Sequence, residues 1–385
     1  MKVALLSHLA SPGAPTGAEH SLAVLARSLG ARGHQVAVAA PGPWVLGNRL
    51  RADGVIVASV PVRSCWLVQY GPQPLWRQTI RAARFAMPDP GYRRLRRWLE
   101  ELDPDVVHVN CLPHLRGAAA ADDLGLPVVW HVREILPPGR RRRWFADRLR
   151  THADRVVAVS EAVAEWLREE GLGDLVEVVH NGVDPPSDAV DRQAARRLFG
   201  LPSGGEVIGL FSQLVEHKGA VDFVRAAHRA AVDNPELGFL IAGHGPVGFR
   251  GRLHREIAAG SAAARIRLVP PQDKIWELLA AVDAVTLTTL WPDPLPRVVM
   301  EAMSYGLPVV SYNGGGVPEM VTDGETGLLV EPGDVDGLAR GMSKLAADKS
   351  LRQRCGDAGR RRARRLFSVE RHVDRMEAVL ESTAE

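Results

Sequence analysis

Two carboxylates eight residues apart, Asp293 and Glu301, flank a loop-to-helix junction in the segment Trp291–Pro308, WPDPLPRVVMEAMSYGLP. Pro292, Pro294 and Pro296 stiffen the loop, because none of them can continue a helix interior. A helix is predicted from Arg297 to about Ser304, closed by Gly306 and Pro308, with the apolar strand Val309-Val310 next. Asp293 then sits just outside a helix N-terminus, while Arg297 and Glu301, four apart, share one face. The N–H groups at such a start attract an anion such as a phosphate. An acid one turn along can accept hydrogen bonds from vicinal hydroxyls, such as those of a ribose. Phosphate and polyol in one pocket point to a nucleotide sugar. Taken alone, the same residues also read as an ordinary amphipathic helix after a proline-rich loop.

Other residues could serve the same chemistry. Lys218 follows a strand and opens the helix predicted over Ala220–Asn234, where a compact cation can reach a diphosphate. The run Gly243-His244-Gly245-Pro246-Val247-Gly248 formally satisfies the dinucleotide pattern. Pro246 interrupts that turn, and the next strand near Ile266–Val269 ends without the acid that would hold an adenosine ribose. Gly314-Gly315-Gly316 either offers backbone N–H groups to an anion or makes a tight turn. Gly17, leading into the first helix, suits close approach of a phosphate. His131 ends the strand Val128-Val129-Trp130, a place for either a structural hydrogen-bonder or a ligand contact. No metal-type spacing and no well-placed nucleophile are visible.

The elements that must position these residues alternate strand and helix. Apolar strands are predicted at Lys2–Ser7, Gln35–Ala40, Val55–Val60, Val106–Asn110, Val128–His131, Arg155–Ser160 and Val176–His180. A second set covers Val207–Ser212, Phe239–Ala242, Ile266–Val269, Ala284–Thr288 and Val309–Tyr312. Continuously apolar strands between helices signal parallel sheets covered on both faces. The turn Asn181-Gly182 and Pro185-Pro186 mark a boundary. The expected architecture is α/β, with two doubly wound Rossmann-like domains facing across a cleft. The N-terminal domain, 1–184, would take the acceptor side and the C-terminal domain, 185–367, the donor side. Ligands would bind outside the carboxyl ends of the strands.

Composition narrows the class. At 385 residues, with 46% hydrophobic and 24% charged residues, the chain suits a soluble two-domain protein. A net charge of +3 does not advertise nucleic-acid binding. Cys65, Cys111 and Cys355 are far apart and odd in number, which fits a reducing compartment. The start, MKVALLSH, lacks a signal peptide's apolar length, and no run reaches the length of a membrane span. A cytoplasmic protein is expected. Its arginines cluster at Arg93–Arg97, Arg140–Arg143 and Arg360–Arg365; the last reads as a solvated helix face.

The 292–309 segment resembles the signature of glycosyltransferase family 4, roughly Pro-Glu-x-Phe-Gly-x-x-x-x-Glu-Ala-Met followed by Gly-x-Pro-Val. Met300-Glu301-Ala302-Met303 and Gly306-Leu307-Pro308-Val309 match; Asp293, Leu295 and Pro296 depart from the Glu, Phe and Gly. Lys218-Gly219 is similar to the family's Lys-Gly element, with Gln213 standing where Arg is usual. Thr16-Gly17-Ala18-Glu19 resembles Gly-Gly-x-Glu, and Arg32-Gly33-His34-Gln35-Val36 resembles a structural Arg-Gly-His-x-Val. The resemblance implies the glycosyltransferase B fold, with the final helix, 368–385, returning to the first domain. It also implies a retaining, metal-independent hexosyltransferase without cofactor, using a nucleoside-diphosphate sugar and a hydroxyl acceptor that is a lipid, polysaccharide or small metabolite. Donor binding would fall to Gly17, Gln213, Lys218, Gly243, His244, Asp293, Leu295, Pro296, Arg297, Val298 and Glu301. Asp293, Lys218, His131 and Glu301 would be the catalytic set, with His131 on the transferred sugar, Asp293 on its hydroxyls and Glu301 on the ribose.

Two rivals stand beside this reading: a nucleotide-sugar epimerase of the same fold, and an inactive nucleotide-sugar-binding partner protein, suggested by the departures at Gln213, Asp293 and Pro296. The stretch Arg63–Trp98 sets Trp66, Tyr70, Trp76, Phe85, Tyr92 and Trp98 among arginines. Such residues serve an acceptor site, peripheral contact with the inner face of a membrane, or a partly buried helical layer.

Overall fold

A computed structural model describes residues 1–11, 13, 15–65, 75–272 and 274–385. Trp66 and Tyr70 lie outside the described residues. The chain divides into two compact units, Met1–Gly182 with Val369–Glu385, and Val183–Ser368.

The first unit begins with β1 (Lys2–Ser7), α1 (Gly17–Ala31), β2 (Gln35–Ala40), α2 (Val45–Ala52) and β3 (Ile56–Ser59). Next come α3 (Leu75–Ala86), α4 (Pro90–Leu102), β4 (Val106–Asn110), α5 (Leu115–Asp122) and β5 (Val128–Val132). The unit continues through α6 (Arg140–His152), β6 (Arg155–Ala158), α7 (Glu161–Glu169) and β7 (Val176–Val178). Among the described residues its strands pair in parallel in the order β3-β2-β1-β4-β5-β6-β7.

The second unit contains α8 (Arg192–Leu198), β8 (Val207–Phe211), α9 (Ala220–Asp233), β9 (Gly238–Ala242) and α10 (Val247–Ala258). It continues with β10 (Ile266–Val269), α11 (Ile275–Ala281), β11 (Ala284–Leu287), α12 (Arg297–Tyr305) and β12 (Val309–Tyr312). It closes with α13 (Val317–Met320), β13 (Gly327–Val330), α14 (Val335–Ala347) and α15 (Lys349–Leu366). Here the parallel order is β10-β9-β8-β11-β12-β13. The edge strand β13 escapes the sequence reading; it is a short run, and its last two residues, Leu329 and Val330, are only partly buried at the sheet edge. Several predicted strand ends, such as those at Ser160 and His180, also overrun; the chain there has already left the ladder.

Why the strands are apolar throughout is plain from their burial. Val3, Ala4, Leu5 and Leu6 are wholly enclosed, as are Val106, Val107 and Val109, because helices cover both faces of the sheet. The chain's last helix, α16 (Val369–Ala384), packs on α1, β4 and β5 and completes the first unit's core with Val373, Met376, Val379 and Leu380. Both sheets reverse strand order once, between β1 and β4 and between β8 and β11. In doubly wound folds a crevice opens at the carboxyl ends beside such a reversal.

Candidate active site

In the second unit, the loops after β8, β9, β11 and β12 are hydrogen-bonded to one another around the β8/β11 reversal. Gly219 is the key contact. It holds a left-handed φ of 68°, and a Cβ there would fall 1.9 Å from the Thr288 carbonyl oxygen. The Thr288 hydroxyl donates to the Lys218 carbonyl at 2.9 Å, and Leu290 N–H donates to the His217 carbonyl at 2.8 Å. This close approach brings the Lys218 ammonium to 2.6 Å from Asp293, with the two side chains 23% and 15% exposed. His217 stacks on Trp291 with centroids 4.7 Å apart, a contact the sequence reading missed although Trp291 opens the same loop. Burial and the neighbouring Lys218 push the His217 imidazole below its usual range.

Gly315, at φ 58°, presses against the Asp293 backbone, where a Cβ would meet the carbonyl oxygen at 2.2 Å. Gly316 N–H donates to that same oxygen at 2.8 Å. The triple glycine is therefore a turn that buttresses Asp293 from the β12 side.

Next to Asp293 begins α12. Its cap residue Pro296 supplies no side-chain acceptor, so the first N–H groups, on Arg297 and Val298, lack an intrahelical partner. The Arg297 guanidinium donates through Nε to Glu301 at 2.8 Å, while its buried Nη1 has no partner among the described residues. Burial drives the Glu301 carboxyl up, and Arg297 opposes that shift. Leu295 and Pro296 are buried, so they shape the loop from inside, and Val298 is half-buried. The far end of α12 is held by Arg360, which donates to the Tyr305 carbonyl at 2.9 Å. Arg362 likewise donates to the Glu319 carbonyl at 2.8 Å. The Arg360–Arg365 run is thus only partly a solvated face.

Gln213 and His244 are exposed on adjoining turns, linked by Leu214 N–H donating to the His244 carbonyl at 2.7 Å. Gly243 packs against the Ser212 carbonyl, which leaves no room for a side chain. The unit thus gathers Lys218, Asp293, Arg297 and Glu301 with the start of α12 in one connected set. Two cations and unpaired amides beside two carboxylates can hold an anion and hydroxyls together.

The first unit holds Gly17 and His131. Gly17 is the exposed first residue of α1. Thr16 caps that helix, and Glu19, only 1% exposed, returns to the Thr16 N–H at 2.7 Å. Glu19 also accepts from the Ser11 N–H and hydroxyl, both at 2.8 Å, which ties the loop down to the helix. Glu19→Ala would strand these donors and is expected to lower the first unit's stability by about 2–4 kcal/mol, read from thermal melts. An unchanged melting temperature would refute the clasp.

His131 is wholly enclosed in β5, with Nδ1 3.2 Å from His108 Nε2 and 3.4 Å from an Arg133 nitrogen. Burial first, then Arg133, lowers its pKa well below the ordinary imidazole range. Arg133 bridges Asn110 at 2.7 Å and Asn181 at 2.6 Å. Glu134 accepts from the backbone of Leu112 and Arg133 at 3.2 and 2.9 Å, and burial lifts its carboxyl to about 7. Neither Glu134 nor His108 drew notice in the sequence; their positions near strand carboxyl ends were the available signal.

Two parallel-sheet units, with cations, helix-start amides and carboxylates gathered at a strand reversal of the second, have the architecture of the glycosyltransferase B fold. The family model described as Glycosyltransferase Family 4 matches residues 15–186, and that of Glycosyl transferases group 1 matches residues 191–362. The chain belongs to this glycosyltransferase family. HepE from Anabaena, solved in complex with UDP and glucose, aligns with a TM-score of 0.83 and 25% identity over 99% of this chain and all of HepE's. The alpha-maltose-1-phosphate synthase of Mycolicibacterium smegmatis is 28% identical over 334 residues, covering 74% of this chain and 84% of that protein. The lipopolysaccharide core biosynthesis glycosyltransferase LpsE of Rhizobium meliloti is 30% identical over 224 residues, and the match spans 63% of its length. Among the described residues, no helix is long and apolar enough to cross a membrane.

Proposed function

We propose that the chain is a retaining, metal-independent hexosyltransferase that moves a sugar from a nucleoside diphosphate to a hydroxyl acceptor, at the cytoplasmic side of a membrane. The observation that carries this reading is the Lys218–Asp293 pair beside the uncapped start of α12 and the Arg297–Glu301 pair. Lys218, Arg297 and the α12 amides would stabilise the departing diphosphate. Their positive charge supplies what a divalent ion would otherwise provide. Glu301 would hold the ribose, and Asp293 the hydroxyls of the sugar. The acceptor oxygen attacks the anomeric carbon from the face the diphosphate leaves, and its proton passes to a phosphate oxygen. The new glycosidic bond thereby keeps the donor's configuration. The acceptor is a lipid, a polysaccharide or a small metabolite, and the arginine-rich outer surface of the first unit would meet the membrane.

Thermal-shift screening against UDP-, GDP-, ADP- and dTDP-sugars tests the donor half. UDP-glucose is the first to try, since HepE was also solved with it. A ligand at about a hundred times its Kd stabilises the folded state by about 2.7 kcal/mol. In an acceptor assay, EDTA is expected to leave the rate unchanged and NMR to show a retained anomer. Loss of turnover with EDTA, or an inverted product, would overturn the mechanism. A shift with no turnover across broad acceptors would favour a binding partner instead.

A further inference from the structure

We propose that the outer surface of α3 and α4 docks on an anionic lipid bilayer, an inference that rests on and deepens the membrane contact proposed for the first unit. Trp76, Ile80, Ala83 and Met87 recur at spacings of four, three and four, one face of a helix. Met87 continues that turn through its N–H bond to the Ala83 carbonyl at 3.1 Å. This apolar face points outward: Trp76 is 60% exposed, Ile80 51% and Met87 56%. The helix is fixed to the unit from its other side. Arg116 lies 4.8 Å from the Phe85 ring, and Arg63 donates to the Arg84 carbonyl at 2.8 Å.

Cations border the stripe. Arg77 sits over the Trp76 ring at 5.1 Å, and α4 turns Leu95 and Leu99 inward while exposing Arg93, Arg94, Arg96 and Arg97. Between Leu75 and Leu102 there are seven arginines and three acids, Asp89, Glu100 and Glu101, the last two at the far end of α4. Asp89 is spent on Arg116 at 2.6 Å and on the Arg63 and Gly91 amides. An exposed apolar stripe edged by arginines suits the acyl boundary and phosphate layer of a bilayer. A second copy of the chain would bring the same positive charge to this face and be repelled.

Flotation of the full chain with vesicles of phosphatidylcholine plus phosphatidylglycerol, compared with phosphatidylcholine alone, tests the proposal. Binding to the anionic vesicles is expected to be at least roughly tenfold tighter and to weaken with salt. The double change Trp76→Ser/Ile80→Ser should cost roughly tenfold or more, and Arg77→Glu/Arg84→Glu should abolish retention. Equal binding to both vesicles, no binding, or retention untouched by these changes would overturn it. So would vesicle-free self-association removed by the same changes, since that would make a second copy the occupant. The thermal shift with nucleotide sugar should persist in every variant. Failed flotation with that shift intact sinks the docking alone, whereas its loss in the unaltered chain sinks the donor reading.

Discussion

Lys218→Ala is expected to lower kcat/KM at least about a hundredfold, equivalent to roughly 2.7 kcal/mol of transition-state stabilisation. Its side chain is mostly buried, and Gly219 holds the backbone beside it against Thr288, just past β11, so its charge acts where water screens poorly. Removing it also leaves Asp293 without its cation, turning an attractive pair into an uncompensated acid next to the proposed phosphate position. Lys218→Arg should rescue little, because a planar guanidinium cannot replace a compact cation in so close a fit. Glu301→Ala should fall in the same range, with Arg297 then lacking its only carboxylate among the contacts described. Release of nucleoside diphosphate, followed with saturating acceptor, is the measurement. Near-normal rates in either variant would defeat the assignment.

The second large effect is on stability against pH. Burial holds His8 at about 4 and His108 and His114 at about 3, with His131 also well below its ordinary value. Unfolded, each would titrate near 6.5. Below that pH the unfolded chain takes up protons that the folded first unit refuses, so stability falls as pH drops, until the folded values are reached. Each such group costs about 1.4 kcal/mol per pH unit. Glu134 works the other way. With its folded value near 7 and an unfolded value near 4.5, it binds a proton in the fold first and offsets one imidazole across that window. His8, His108 and His114 less one carboxylate give a ceiling of about 3 kcal/mol per pH unit between 6.5 and 4.5, and His131 acts in the same direction. Calorimetry should show the first unit's transition collapsing toward pH 5, and His108→Gln should flatten the slope. A melting temperature constant across this range would contradict the buried neutral imidazoles.

Much of the fold was legible because its strands are covered on both faces and read as unbroken apolar runs between helices. The edge strand β13 was not: Leu328-Leu329-Val330 is apolar but short, and its last two residues are only partly covered. The start of α12 was readable from three prolines and the four-residue offset of Arg297 and Glu301. The Lys218–Asp293 pair joins residues 75 apart in the chain and arises from one glycine meeting one carbonyl. No local pattern announces that. Likewise the Arg360–Arg365 run looked uniform, yet register on α15 sends Arg360 and Arg362 to backbone carbonyls. The amphipathic stripe of α3 could be counted in the sequence, but only coordinates show that it faces outward.

The first unit's core closes with residues from α16, at the very end of the chain. Domains made on the ribosome ordinarily fold in the order they emerge. Here the earlier half waits: until Leu380 has left the exit tunnel, the face formed by α1, β4 and β5 lacks its cover. Nascent chains stalled with Leu366 outside the tunnel and α16 still inside it would therefore hold a finished second unit and an open first one, and chaperones would find their apolar target in the first unit.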